Sequence, residues 1–226
     1  AEKVVGNAFT MLLCTGVLLT VAGLLFKKPL LYAFGASDAT FPFADSYLSI
    51  YLLGCTFVTV SLGMNSYINA QGFARMGMVT TLIGAVLNII LDPLFIFTMG
   101  MGIRGAAIAT VISQLASAIW TVRFLTSPKA ILRIRVSCMR PCLKTIRDIA
   151  ALGLSNFMMS ITNSIVQVVC NSTLSLYGGD LYVGVMTVIN SVREIVSMPV
   201  SGITNGSQPV ISFNYGAEKY DRIKTA

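Results

Sequence analysis

Long apolar runs dominate this chain, and short polar stretches separate them. A helix that crosses a bilayer needs about 20 mostly apolar residues. Six runs satisfy that length, at about 7–26, 46–70, 76–99, 103–125, 146–176 and 181–213. We therefore predict an all-α integral membrane protein with six transmembrane helices.

The composition agrees with a membrane protein. Hydrophobic residues make up 55% of the 226 residues and charged residues 11%, whereas soluble domains carry roughly 25% charged residues. Mean hydropathy is +0.77. The chain is therefore expected in a plasma membrane or bacterial inner membrane as a multi-pass protein.

The positions of the basic residues predict the orientation. The net charge is +7. The basic residues lie mainly in every second loop between the predicted helices, and this distribution does not indicate a nucleic-acid partner. With the N-terminus inside, three outer-loop cations are Lys27, Lys28 and Arg104, while twelve inner-loop cations are Lys3, Arg75, Arg123, Lys129, Arg133, Arg135, Arg140, Lys144, Arg147, Lys219, Arg222 and Lys224. The positive-inside rule then places both chain ends in the cytoplasm.

One long polar segment divides the predicted helices into four and two. It contains Pro128, Pro141 and most of the basic cluster. We predict four helices in residues 1–126, a basic cytoplasmic linker in 127–145, and two helices with a cytoplasmic tail in 146–226. The basic stretch at 215–224 resembles the lead into another helix, so we expect the sequence to be a fragment.

The fifth run carries a polar face. Asn156, Ser160, Asn163, Gln167 and Asn171 are spaced 4, 3, 4 and 4 residues apart, which places them on one side of a helix. Lipid cannot satisfy these carboxamides, so the face must meet protein or water. We favour a cavity lining, with hydrogen bonding between helices as the alternative.

The sixth run has a similar face, formed by Asn190, Glu194, Ser197, Ser201, Asn205 and Gln208. Glu194 lies near the middle of the run, and carboxylates within a membrane are functional candidates by default. Arg193 points about 100° away from Glu194, so we expect it to pair with another helix or a substrate anion. The alternative is a structural ion pair involving this segment. Our candidate substrate-binding or ion-binding residues are Asn163, Gln167, Asn190, Arg193 and Glu194.

Small and polar residues also recur at intervals of four before and after a Gly-rich turn. Thr80, Gly84, Asn88 and Asp92 form one row, and Gly105, Ala109, Ser113 and Ser117 form the other. Such rows are typical of close helix packing or of a wet interior. We predict packing for the second row and a structural role for Asn88 and Asp92, with Arg104 just across the turn. Ion coupling is the alternative for this pair.

Two stretches carry a family resemblance. They read NIILDPLFIFTMGMGIRGAAIATVISQ at 88–114 and GSQPVISFNYGAEKYDR at 206–222. Both resemble the signatures of the MATE (multidrug and toxin extrusion) transporters. The resemblance implies a two-lobe, twelve-helix protein of which this chain covers about helices three to eight, and which we expect to be monomeric at full length.

The resemblance also implies a mechanism. A MATE protein would export organic, often cationic, drugs or toxins by alternating access in exchange for H⁺ or Na⁺, without a cofactor. Some branches carry a glutamate at about the position of Asn163, and a neutral amide cannot take up a proton there. The coupling carboxylate must then lie elsewhere, and Glu194 is the candidate within this chain.

Other functions are less well supported. A lipid-linked oligosaccharide flippase of the same superfamily would need more cations than Arg193 to meet pyrophosphate. A noncatalytic membrane scaffold would use the polar faces only for helix contacts. No nucleophile and base pair or phosphate-binding loop indicates an enzyme, and five cysteines with no histidine argue against most metal sites.

Overall fold

The computed structural model describes residues 2–225, and the all-α prediction is confirmed because no strand occurs among them. The chain forms α1 (Glu2–Ala33), α2 (Phe41–Leu53), α3 (Cys55–Ala70), α4 (Ala74–Pro93), α5 (Ile103–Thr126), α6 (Leu143–Gly216) and α7 (Tyr220–Thr225). A π-helical turn (Leu94–Thr98) continues α4, and a 3₁₀ turn (Val136–Cys138) lies in the linker.

Within residues 2–225, four helices are long and apolar enough to cross a membrane, or five if the pair α2 and α3 is one span bent by 55°. The last two predicted runs both lie in α6, which has 74 residues. At 1.5 Å per residue an uninterrupted helix of that length would extend about 110 Å, far beyond a hydrocarbon core of about 30 Å. Gly179 interrupts α6 with φ 66° and ψ −168°. Residues 143–178 and 180–216 therefore form two arms.

Helix α1 is longer than we predicted. It begins at Glu2 and continues to Ala33, so the prediction that placed Lys27 and Lys28 in an outer loop was wrong. The Lys27 ammonium lies 2.7 Å from a carboxylate oxygen of Asp45 and donates a hydrogen bond of 3.1 Å to Ser49. These partners on α2 satisfy the Lys27 charge, which lets the helix continue past it.

Small side chains allow the helices of residues 2–126 to pack closely. Gly84 of α4 faces Ser117 of α5, where an added Cβ would lie 2.6 Å from the hydroxyl oxygen. Ser117 in turn donates a hydrogen bond of 3.1 Å to the backbone carbonyl of Thr80. This contact joins two members of the first predicted row to one member of the second and holds α4 against α5.

Helices α1 to α5 form what we call the four-helix unit, since the bent pair α2 and α3 is counted as one span. The best-buried apolar cluster lies where this four-helix unit meets the linker. Its members are Ala8, Val60, Met64, Ile68, Ala118, Phe124, Leu125 and Ala130. Ala130 belongs to the linker, which joins the end of α5 at Thr126 to the start of α6 at Leu143. The linker is therefore packed against the unit and contributes to its core.

Candidate functional site

A polar cavity of about 230 Å³ lies between α3, α4 and α5. The polar residues that line it are Ser61, Asn65, Thr80, Thr81, Asn88, Thr110, Ser113, Gln114 and Ser117. Each helix contributes polar positions because its small and hydrophilic residues fall on the side that faces the other two. Members of the rows of small and polar residues on α4 and α5 thus line this cavity and also pack the two helices together.

Two oxygen atoms in the cavity wall lack partners. The side-chain oxygens of Asn65 and Ser113 are buried and accept or donate no hydrogen bond among the described residues, and Ser113 is only 2% exposed. A buried polar group without a partner costs about 1–3 kcal/mol. These oxygens therefore favour occupancy of the cavity by water, a cation or a polar group of a substrate.

Asp92 adjoins the cavity through Asn88. The Asn88 amide donates a hydrogen bond of 3.1 Å to the Asp92 carboxylate, and both residues are half-buried. The structure gives Asp92 this neutral partner in place of the Arg104 side chain that lies across the turn, since no ion pair joins Asp92 to Arg104 in residues 2–225. The hydrogen bond from Asn88 holds the carboxylate in position.

The second half of the chain presents its candidate residues differently. Asn163, Arg193 and Glu194 are exposed, and Gln167 and Asn190 are half-buried. None of these five residues lines the polar cavity between α3, α4 and α5. Their roles in substrate or ion binding remain predictions.

Part of the polar face on α6 contacts the four-helix unit. Gln167 donates a hydrogen bond of 2.9 Å to Asn171, and Asn171 donates one of 3.2 Å to the backbone carbonyl of Phe34. For Asn171 the structure therefore favours the alternative interpretation, hydrogen bonding between helices, over the lining of a cavity.

Two further hydrogen bonds lie beside that contact. The Ser172 hydroxyl donates a hydrogen bond of 3.0 Å to the backbone carbonyl of Ala33, and the Ser37 hydroxyl donates one of 2.9 Å to the carboxylate of Asp180. We call this contact the distal junction, because it lies at the end of α1 farthest from the linker; its residues are Ala33, Phe34, Ser37, Asn171, Ser172 and Asp180. Ala33 ends α1, so Ser172 satisfies a carbonyl that has no partner within its own helix.

The sequence interpretation missed Asn65, Thr110 and Ser113 as cavity residues. Ser61 and Asn65 are four apart on α3, and this spacing is the same signal that singled out the rows on α4 and α5. Ser113 was assigned to packing alone. It is buried between helices and also lines the cavity.

The linker ends in an unusual thiol. Cys142 is exposed, and the backbone N–H of Thr145, the Thr145 hydroxyl and the backbone N–H of Lys144 donate hydrogen bonds that hold its pKa below the ordinary value. The charge of Lys3 acts in the same direction. The thiolate is thus stabilised at the start of α6.

We predict that Cys142 reacts with iodoacetamide faster than Cys138, which is half-buried. Because only the thiolate reacts, a lowered pKa keeps Cys142 reactive as the pH falls below about 8.5, where an ordinary thiol becomes protonated. Timed labelling from pH 6 to 8 with peptide mass spectrometry measures this difference. Equal rates and equal pH profiles for the two thiols would contradict the prediction.

Comparison with known proteins adds a family. A family model described as MatE matches residues 1–94 and 156–226. The multidrug export protein MepA of Staphylococcus aureus is 25% identical over 204 residues, which cover 90% of this chain and 45% of MepA. The chain spans about half the length of the curated relatives it matches.

Solved structures give the same result. An inward-facing multidrug resistance MATE family transporter is 26% identical with a TM-score of 0.80, over 100% of this chain and 52% of that one. An outward-facing structure is 25% identical with a TM-score of 0.84, over 99% and 50% of the two chains. The arrangement of helices described above is therefore similar to half of a transporter.

Proposed function

The chain belongs to the MATE family of transporters, and on this basis we propose that it forms part of a secondary active antiporter. Its family consists of transporters and not of enzymes. The antiporter would export organic, often cationic, compounds in exchange for H⁺ or Na⁺ by alternating access. It would act as a monomer with both chain ends in the cytoplasm and without a nucleic-acid partner.

The single observation that carries this proposal is the polar cavity with Asp92 beside it. A carboxylate in a low-dielectric region either binds a cation or takes up a proton, because its isolated charge is costly there. Asp45 already has Lys27 as a partner at 2.7 Å. Within residues 2–225, Asp92 has only the neutral amide of Asn88 as a partner, so no ion pair competes with a coupling ion there.

We propose that the polar face of α6 supplies the substrate contacts of this half. Asn163, Asn190 and Arg193 make no hydrogen bond or ion pair within residues 2–225, so their polar groups remain available to a ligand. Gln167 lies one turn after Asn163 on the first arm of α6 and, within residues 2–225, bonds only to Asn171. Glu194 remains the coupling carboxylate that the sequence favours, and Asp92 joins it as a second.

The distal junction supports alternating access. Its three hydrogen bonds are exposed. The two that backbone carbonyls accept contribute about 0.5–1.5 kcal/mol each, and the one to the Asp180 carboxylate about 1.5–3 kcal/mol. Contacts of that strength can break and form again in every transport cycle. The junction would close one side of the transporter and open to release the substrate.

The proposal is tested with the complete coding sequence, purified and reconstituted in liposomes with a fluorescent organic cation. We expect an imposed H⁺ or Na⁺ gradient to drive movement of the cation against its own gradient, and an ionophore that collapses the gradient to stop it. Protein-free liposomes serve as the control. Movement that neither gradient changes would contradict antiport.

The alternatives predict other results in the same vesicles. A flippase would move a lipid-linked oligosaccharide between leaflets, while a scaffold would move neither compound. In a scaffold, alanine substitutions at Asn163 and Asn190 would alter only the stability of the protein, because there would be no export to change.

A further inference from the structure

The linker between α5 and α6 has the composition of a flexible tether. Residues 127–142 include Pro128, Pro141 and four basic residues. A flexible chain of this length would span about 22 Å on average. It would leave α6 free to move independently of the four-helix unit. The structure shows a different arrangement.

The first part of the linker is bound to the four-helix unit. The backbone N–H of Leu132 donates a hydrogen bond of 2.8 Å to the Gln71 side chain, and that of Ile134 donates one of 3.0 Å to the carbonyl of Leu125. Ala130 is only 3% exposed within the apolar cluster. This part cannot leave the unit without exposing apolar surface and backbone groups.

The last part is held by one buried carboxamide. Asn7 of α1 is 2% exposed. Its side-chain nitrogen donates hydrogen bonds to the carbonyls of Lys3, at 2.8 Å, and Cys138, at 3.4 Å, while its oxygen accepts one of 2.7 Å from the backbone N–H of Cys142. The hydroxyl of Thr10, about one turn further along α1, donates a hydrogen bond of 3.0 Å to the backbone carbonyl of Met139. Every polar atom of the Asn7 side chain is therefore used.

Gly6 makes this approach sterically possible. An added Cβ at Gly6 would lie 2.5 Å from the backbone oxygen of Cys138 and 2.7 Å from its carbonyl carbon. These atoms belong to the backbone and cannot rotate away. The pair Gly6 and Asn7 thus forms a specific seat for residues 138–142.

We infer that the linker is a fixed strap of the four-helix unit, that Asn7 is its positioning residue, and that α6 pivots at the bond between Cys142 and Leu143. Cys142 is bonded to Asn7 and is also the residue that precedes the first turn of α6. No free residue separates the anchor from the helix. Any movement of the first arm of α6 must therefore rotate about this point.

The inference gives the proposed transport cycle, on which it rests, a defined geometry. The strap stays with α1, α3 and α5 in every state, while the distal junction at the other end of α1 opens and closes. Because no flexible residue lies between the anchored Cys142 and α6, a small rotation of α6 at Cys142 displaces the far end of its first arm, near Asn171 and Asp180. A flexible tether would transmit no such displacement.

Labelling of Cys138 tests the strap without any transport measurement. In a protein whose other cysteines are replaced by serine, Gly6→Ala should push the strap away and raise the rate of maleimide labelling at Cys138 by about tenfold, as should Asn7→Ala through the loss of its buried hydrogen bonds. Gly153→Ala is the matched control, because an added Cβ there meets nothing within 4 Å. Unchanged labelling in both variants, each confirmed as folded by gel filtration, would overturn the inference.

An insertion series tests the pivot. Gly-Gly-Gly-Ser inserted between Cys142 and Leu143 introduces slack beyond the anchor while its serine can cap α6. The same insertion between the exposed Pro128 and Lys129 lies before the anchors. We expect the first insertion to lower gradient-driven export by about tenfold or more and the second to leave it near that of the parent, since only the first frees α6.

Equal effects of the two insertions would reject the pivot. If the parent protein moves no substrate, the proposed function fails, and the labelling of Cys138 still decides whether the strap exists. The two failures are therefore distinguishable.

Discussion

A covalent bridge between positions 37 and 180 is expected to stop substrate export. Ser37 belongs to the four-helix unit and Asp180 to α6, and their side-chain oxygens lie 2.9 Å apart. If export requires the distal junction to open, a bridge that cannot break holds the transporter in one state. We expect export to fall by about a hundredfold, because the covalent bridge does not break on the time scale of transport, whereas the hydrogen bond to the Asp180 carboxylate that it replaces contributes only about 1.5–3 kcal/mol.

The experiment uses Ser37→Cys with Asp180→Cys in a protein without its native cysteines, and a short bifunctional thiosulfonate forms the bridge. Ser37→Cys with Thr40→Cys is the matched control, because the Ser37 and Thr40 hydroxyl oxygens lie 3.2 Å apart within the same unit. This control bridge has the same chemistry and exposure but joins no moving parts. Reducing agent should restore export in the first variant. Undiminished export from fully bridged protein would show that the distal junction does not open.

The helical character of the chain could be predicted from the sequence because it depends on local hydrophobicity. Runs of apolar residues identify the helices, and the two signature stretches at 88–114 and 206–222 identify the family. The error at Lys27 arose because a hydropathy pattern treats each charge as exposed. The partner that keeps Lys27 within a helix, Asp45, is 18 residues away on another helix.

The polar cavity could be predicted only in part. A spacing of four residues shows that Asn88 shares a face with Gly84, and that Ser113 shares one with Ser117. It does not show that these faces converge with that of Asn65 on α3. Convergence depends on how three helices pack, and this depends on contacts such as the hydrogen bond from Ser117 to Thr80.

The strap shows the same limitation more strongly. Its prolines and basic residues are typical of a mobile loop, and that composition led to the prediction of a simple linker. The contacts that hold it come from Asn7, 135 residues before Cys142, and from Gln71, 61 residues before Leu132. No local pattern in the linker could reveal these partners.

Asp92→Asn is expected to uncouple export from the ion gradient. The substitution keeps the size of the side chain and a hydrogen-bonding oxygen for Asn88 but removes the negative charge and the site for a proton. Interactions with a charged group contribute about 1.5–3 kcal/mol, so the affinity for a coupling cation should fall by about 10-fold to 100-fold. Gradient-driven accumulation should be lost, while exchange of labelled for unlabelled substrate, which needs no net ion flux, should continue.

The comparison variant is Glu194→Gln, which removes the carboxylate that the sequence favoured. Both variants are measured in the same liposomes, with exchange as the control for folding and substrate binding. Glu194 is exposed on α6, whereas Asp92 is half-buried and oriented by the Asn88 amide beside a cavity whose Asn65 and Ser113 oxygens lack partners. A cation that enters this cavity would meet neutral oxygens, which are ligands that hard cations prefer, and the Asp92 carboxylate lies next to the cavity through its hydrogen bond with Asn88. Normal gradient-driven accumulation with Asp92→Asn would reject the role proposed for Asp92, and the same result with Glu194→Gln would reject the role predicted for Glu194.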